Sequence, residues 1–213
     1  MYTLVSAQEI RLSPGTVVRF SGSWQDYITL QTTRQDRVVP RLRFRAGEIL
    51  LMSPLPKHGR DAHLIAGIVT ILLDSQSRNY EAFTPITLEL VGVGGIEPDY
   101  SFYIDQWQAV AGKERLQPPE DPWPDLAIEI DVKIFTDIDD YLPYRIAEVW
   151  LCRQQQLLIY QLVGETCQIH PTSRFFPGID IGQIFEECLQ AAEERGTGVA
   201  LRELRVRLSW KSR

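Results

Sequence analysis

Two periods alternate along this chain, one strand-like and one helical. From Arg41 to Met52, the apolar residues Leu42, Phe44, Ile49, Leu51 and Met52 flank Ala46-Gly47, the pattern of a β-hairpin. Pro54 and Pro56 stop its second strand. Leu64, Ile65, Ile68, Ile71 and Leu72 then recur at helical spacing and predict an amphipathic helix over 58–77. Strands are predicted over 82–91 and 97–104, joined by a flexible turn at 92–95. Residues 106–124 hold a proline-rich surface loop. Over 125–132, Leu126, Ile128 and Ile130 alternate with Ala127, Glu129 and Asp131, as in a buried strand. A short helix over 136–146 precedes a strand over 148–153. A hairpin over 157–163 and 166–170 turns at Gly164-Glu165, and helices over 181–195 and 199–208 close the pattern. The first forty residues show no clean period beyond a short helix over 3–11, capped by Ser6. This order predicts an α/β fold, a central mixed sheet flanked by helices.

Composition narrows the class. The 213 residues suffice for one domain with a core. Apolar residues make up 44% and charged residues 23%, an ordinary globular mix that excludes wholesale disorder. No apolar run reaches the roughly 20 residues of a membrane-spanning helix, so no membrane partner is expected. The N-terminus lacks a basic stretch followed by an apolar run, so no secretory signal is read and a cytoplasmic location is expected. Cys152, Cys167 and Cys188 are widely spaced and read as free thiols, not as a zinc site or disulfide framework. The net charge of −6 argues against a protein that coats nucleic acid by charge alone. Arg41, Arg43, Arg45, Lys57 and Arg60 nevertheless form a local basic patch, of a kind that is usually just solvated.

The acids that break the apolar pattern carry the candidate chemistry. Glu129 and Asp131 alternate onto the same face of their strand, about 6.6 Å apart, and Lys133 joins that face if the strand continues. A buried carboxylate is costly without a cation or several donors. A wet sheet face would hydrate both acids equally well. Asp99 follows Pro98 where a strand enters the core; it reads as a site residue or as a turn residue. Glu97 reads as a neighbour of the ligands or, more simply, as solvent-exposed. Glu48, after Gly47, reads as a turn residue or as a further acid reaching the same site. His58 and His63 lack the i, i+4 spacing of a helical metal pair, so a surface or helix-start role is expected of each. No phosphate-cradling glycine motif and no GxSxG elbow occurs.

The ordered set Gly47-Glu48, Met52-Ser53-Pro54, His58, Glu97-Pro98-Asp99, Pro124-Asp125-Leu126-Ala127-Ile128-Glu129-Ile130-Asp131, Tyr141 and Ala147-Glu148-Val149-Trp150 resembles the Uma2 family of endonucleases, abundant in cyanobacteria and formerly a domain of unknown function. The likeness spans about 40–195 and places the chain in the PD-(D/E)xK nuclease superfamily. It implies a restriction-endonuclease-like fold: an N-terminal β elaboration over 1–40, the nuclease-like domain over 41–195, and a C-terminal helix over 196–213 packed on it. It further implies Mg²⁺ or Mn²⁺ as cofactor, DNA as partner and substrate, and a homodimer. Asp99 corresponds to the proline-linked acid, Glu129 to the acid of the second motif, and Glu48 to an additional acid. Asp131 stands where the family pattern has lysine, so Lys133 is the candidate replacement, while Asp131 or Glu48 is expected to complete the metal site formed by Asp99 and Glu129 or to hold a second ion. A catalytically inactive binding or assembly module on the same fold is the alternative.

Overall fold

The computed structural model describes residues 12–34, 37, 39–118, 120–131 and 136–211, the last two as backbone only. The helix expected over 3–11 and the candidate Lys133 lie outside the described residues. In chain order the elements are β1 (Val17–Ser21), α1 (Trp24–Arg34), β2 (Arg41–Arg45), β3 (Glu48–Met52), α2 (Pro56–Ser75), β4 (Glu81–Phe83), β5 (Leu88–Leu90), β6 (Gly94–Ile96) and β7 (Tyr100–Tyr103). There follow α3 (Trp107–Val110), β8 (Leu126–Asp131), a 3-10 helix (Ile138–Tyr144), β9 (Glu148–Arg153), β10 (Gln156–Val163), β11 (Thr166–Ile169), α4 (Ile181–Arg195) and α5 (Thr197–Lys211).

The chain folds as two compact units, 1–56 with 87–97, and 57–86 with 98–213. The first contains an antiparallel sheet ordered β1-β3-β2-β6-β5. Leu42, Phe44, Ile49 and Leu51 alternate onto one face and bury with Tyr27 of α1, while Arg41, Arg43 and Arg45 alternate onto the other. Gly95 faces the Tyr27 ring so closely that a Cβ there would lie 2.3 Å from the hydroxyl oxygen.

The second unit is a mixed sheet ordered β11-β10-β9-β8-β7-β4, in which β8 and β9 pair in parallel. A parallel neighbour cannot be reached by a tight turn, and the connection through the 3-10 helix provides the crossover. Leu126, Ile128 and Ile130 of β8 join Trp150 and Cys152 of β9 in a core with α2, α4 and α5. All five apolar positions expected on the helix over 58–77 are buried there. That helix starts at Pro56, whose missing N–H is no loss in a first turn. The Asp180 side chain caps α4 by accepting from the Gln183 N–H at 2.9 Å. Gly196, at a φ of 94°, separates α4 from α5.

The molecule is α/β with helices packed on a mixed sheet, as expected, but of two expected strands one is divided and one is shortened. The stretch 82–91 supplies β4 to one sheet and β5 to the other, and 97–104 reduces to β7 once β6 has ended at Ile96. Pro85 and Pro98, which offer no N–H to a ladder, lie at the two breaks. The turn at 92–95 does form a hairpin, but between β5 and β6. Among the described residues, no helix is long and apolar enough to cross a membrane.

Candidate active site

Asp99 stands at the head of β7. Its N–H donates to the Ile128 carbonyl at 3.0 Å, which aligns this end of β7 with β8. β7 pairs with β8 in the register Tyr100–Ile128, Ser101–Ala127 and Phe102–Leu126, so Asp99 stands one residue before the first of these pairs on its strand and Glu129 one residue after it on β8. The Asp99 carboxylate accepts from the Ile130 N–H at 2.7 Å, and His58 Nε2 lies 2.8 and 3.0 Å from its two oxygens. A carboxylate partner requires that Nε2 carry the proton. His58 occupies the first turn of α2, and both side chains are buried. The expected helix-start role for His58 is therefore met, but the expected surface position is not: Asp99 satisfies its ring inside the unit.

Glu129 lies mid-strand on β8, on the face opposite Ile128 and Ile130, and is 4% exposed. Its carboxylate accepts from the Tyr141 hydroxyl at 2.8 Å and the Thr136 hydroxyl at 3.1 Å. Asp131, two residues on, is equally buried. The parallel register sets it beside Arg153 of β9, whose Nη2 and Nε donate to it at 2.9 and 3.1 Å. The Thr136 N–H reaches the same oxygen at 3.2 Å, and Arg153 also donates to the Thr136 carbonyl at 2.7 Å. Thr136 thus ties Glu129, Asp131 and Arg153 into one network. A hydrated face for these acids does not occur.

Asp61, one turn along α2 from His58, is a buried acid that the sequence reading passed over. Arg60 donates to it at 2.7 and 2.9 Å. The available signal is its helical spacing with Ile65, Ile68 and Leu72, which sets an acid on the apolar stripe of α2. Burial pushes the Cys152 thiol up to about 12, and the negative charges of Asp61 and Asp99 add to the effect. Cys152 is therefore a packed thiol with no nucleophilic readiness.

Two acids belong to the other unit. Glu48 begins β3, is more than half exposed and lies 3.7 Å from Arg19. Glu97 is buried, which corrects the expectation of exposure. Arg34 grips it with both guanidinium nitrogens, and the Leu42 N–H and Thr87 hydroxyl donate to it at 3.1 Å each. Among the described residues, no three His, Cys, Asp or Glu side chains form a group that could hold a metal ion.

Residues 24–194 match the Uma2 family, described as "Putative restriction endonuclease". A crystal structure described as a putative nuclease belonging to DUF820, from Anabaena variabilis, shares 16% identity at a TM-score of 0.49, covering 75% of this chain and 94% of that one. No curated protein matches. With the family match running through β2, β3, α2 and all the strands that hold the buried acids, the chain belongs to the Uma2 family.

Proposed function

We propose that this protein is an endonuclease that hydrolyses DNA phosphodiester bonds with the help of Mg²⁺ or Mn²⁺, at a site built on Asp99 and Glu129. The observation that carries the reading is two buried acids on neighbouring strands, Asp99 at the head of β7 and Glu129 within β8, in a family described as "Putative restriction endonuclease". Their oxygens are the hard donors these ions take, and one or two carboxylates are the usual protein share of a Mg²⁺ site. Asp99 and Glu129 would hold the ion, which supplies positive charge against the scissile phosphate.

The chain's own residues do the positioning. His58 fixes the Asp99 carboxylate, and Tyr141 with Thr136 fixes that of Glu129. Asp131, neutralised by Arg153, anchors Thr136 and through it Glu129. Lys133 is assigned the charge that develops on the phosphate in the transition state. Glu48 is left outside the ligand pair.

The test is nicking of plasmid DNA with added Mn²⁺ or Mg²⁺. Asp99→Ala and Glu129→Ala are each expected to lower the rate by a factor of order 10² or more. Calorimetric titration with Mn²⁺ in the absence of DNA should show binding by the wild type and loss in both variants. Equal nicking by all three proteins would remove the site. A second reading, a catalytically silent module on this fold, is favoured by the arginine that occupies Asp131, the position where the family pattern has lysine. It predicts neither Mn²⁺ uptake nor nicking by the wild type.

A further inference from the structure

We propose that β11 is a dimer edge: two copies of this chain join antiparallel along it and continue the six-stranded sheet across a two-fold axis. The inference stands on the sheet of the second unit alone, whether or not the protein nicks DNA, and gives the expected homodimer its contact.

The register of the β10–β11 hairpin decides which backbone groups of β11 are spare. Val163 pairs with Thr166, Leu162 with Cys167, Gln161 with Gln168 and Tyr160 with Ile169. Beyond the last of these, the His170 N–H donates to the Ile159 carbonyl at 2.8 Å, which makes 159 and 170 a hydrogen-bonded pair. Hydrogen-bonded and non-hydrogen-bonded pairs alternate along an antiparallel ladder. Thr166 and Gln168 therefore turn their N–H and C=O groups toward β10, and Cys167 and Ile169 turn theirs outward. Among the described residues, β11 has no neighbouring strand on that outer side.

Proteins commonly blunt an open sheet edge with charge, and three of the four edge strands here do so. β1 carries Arg19, β4 carries Glu81 and β5 carries Glu89. β11, Thr166-Cys167-Gln168-Ile169, has neither a charged residue nor a proline, and Ile169 is 62% exposed. Spare donors, spare acceptors and an exposed isoleucine on an uncharged edge are a template for another strand.

The strand that fits this template is a second β11. A two-fold axis at Gln168 sets Cys167 opposite Ile169 of the second copy, and Ile169 opposite Cys167 of that copy. These are the positions with outward backbone groups, so both pairs close their hydrogen bonds, and the apolar side chains meet on one face. Gln168 meets its own twin on the other face, and an amide offers its twin both a donor and an acceptor. The edge is thus complementary to itself. Its ladder of 4 residues is a small interface, so the association is expected to be reversible and concentration-dependent.

The experiment is sedimentation velocity of the full chain from low to high micromolar concentration. The wild type is expected to rise to twice the mass of one chain. Ile169→Lys, checked for fold by circular dichroism, puts a charge on the edge at a position already open to solvent, and should stay monomeric over the whole series. A second measurement does not depend on loss of association. Cys167→Ser/Gln168→Cys should form a covalent dimer under mild oxidation, because facing residues of a non-hydrogen-bonded pair have Cα atoms about 4.5 Å apart, within disulfide reach. Cys167→Ser/Thr166→Cys should not, because the two copies of residue 166 would lie four residues apart along the ladder, on the order of 13 Å. A wild type that is monomeric at every concentration would overturn the proposal. So would an unchanged dimer in folded Ile169→Lys, absence of the cross-link at 168, or equal cross-linking at 166 and 168.

Discussion

Glu148 shows how much a single buried acid can organise. At the head of β9 it is fully buried and accepts from the Trp150 indole N–H at 2.6 Å, the Ser173 hydroxyl at 2.5 Å, the Arg174 N–H at 2.8 Å and the Gln161 amide at 3.2 Å. Through Ser173 and Arg174 it fastens the segment after β11 to the sheet. Burial raises its pKa above the ordinary 4.5, although the four donors pull the other way. A raised acid binds its proton more readily in the folded state. Its contribution is therefore greatest below the ordinary value and declines as pH rises through the raised one. Glu148→Gln presents one acceptor oxygen where there were two, and is expected to cost about 2 kcal/mol. Urea unfolding of both proteins across acidic to neutral pH should show that deficit narrowing as pH rises. A deficit that widens would refute the assignment.

At the scale of elements, alternation on β8 and on β2 does opposite things with the same period. On β8 the face away from the α2 core buries Glu129 and Asp131 in a hydrogen-bonded network, whereas on β2 the second face carries half-buried Arg41 and Arg43 and exposed Arg45. What separates the two cases is the covering: Tyr141 and Thr136 close over the acids, so polar partners within the unit become obligatory. The packing of α1 on its sheet depends on a missing side chain. Gly95→Ala would set a Cβ 2.5 Å from Tyr27 Cζ, against a fully buried ring with no room to retreat. Overpacking of this kind costs about 1–3 kcal/mol, so thermal unfolding should begin at a lower temperature. An unchanged melting temperature would mean that the α1 packing is softer than the structure implies.

For the molecule as a whole, the chain passes between its two units near residues 56, 86 and 97, so neither unit is a continuous stretch of sequence. For the proposed endonuclease, an overall charge of −6 would make long-range attraction to DNA weak, so its contacts must be short-ranged. Raising salt from low to physiological levels should therefore raise KM for plasmid nicking well before it lowers kcat. A fall in kcat with KM unchanged would point to salt acting on the acids instead. Much of this molecule was legible one segment at a time. The helical spacing of Leu64 to Leu72, the alternation over 125–131, the turn at Gly164-Glu165 and the Gly196 break between the last helices each specify local structure, because period and turn chemistry act over a few residues. The odd placement of Asp99, Glu129 and Asp131 in apolar surroundings was visible for the same reason. The partners of those acids were not: His58 lies 41 residues from Asp99, and Arg153 lies 22 from Asp131. Nor could local pattern show that 82–91 serves two sheets, or that Glu97 is buried under Arg34. Strand pairing and charge neutralisation join residues distant along the chain, and a residue's own neighbours in sequence carry no information about which of these will meet.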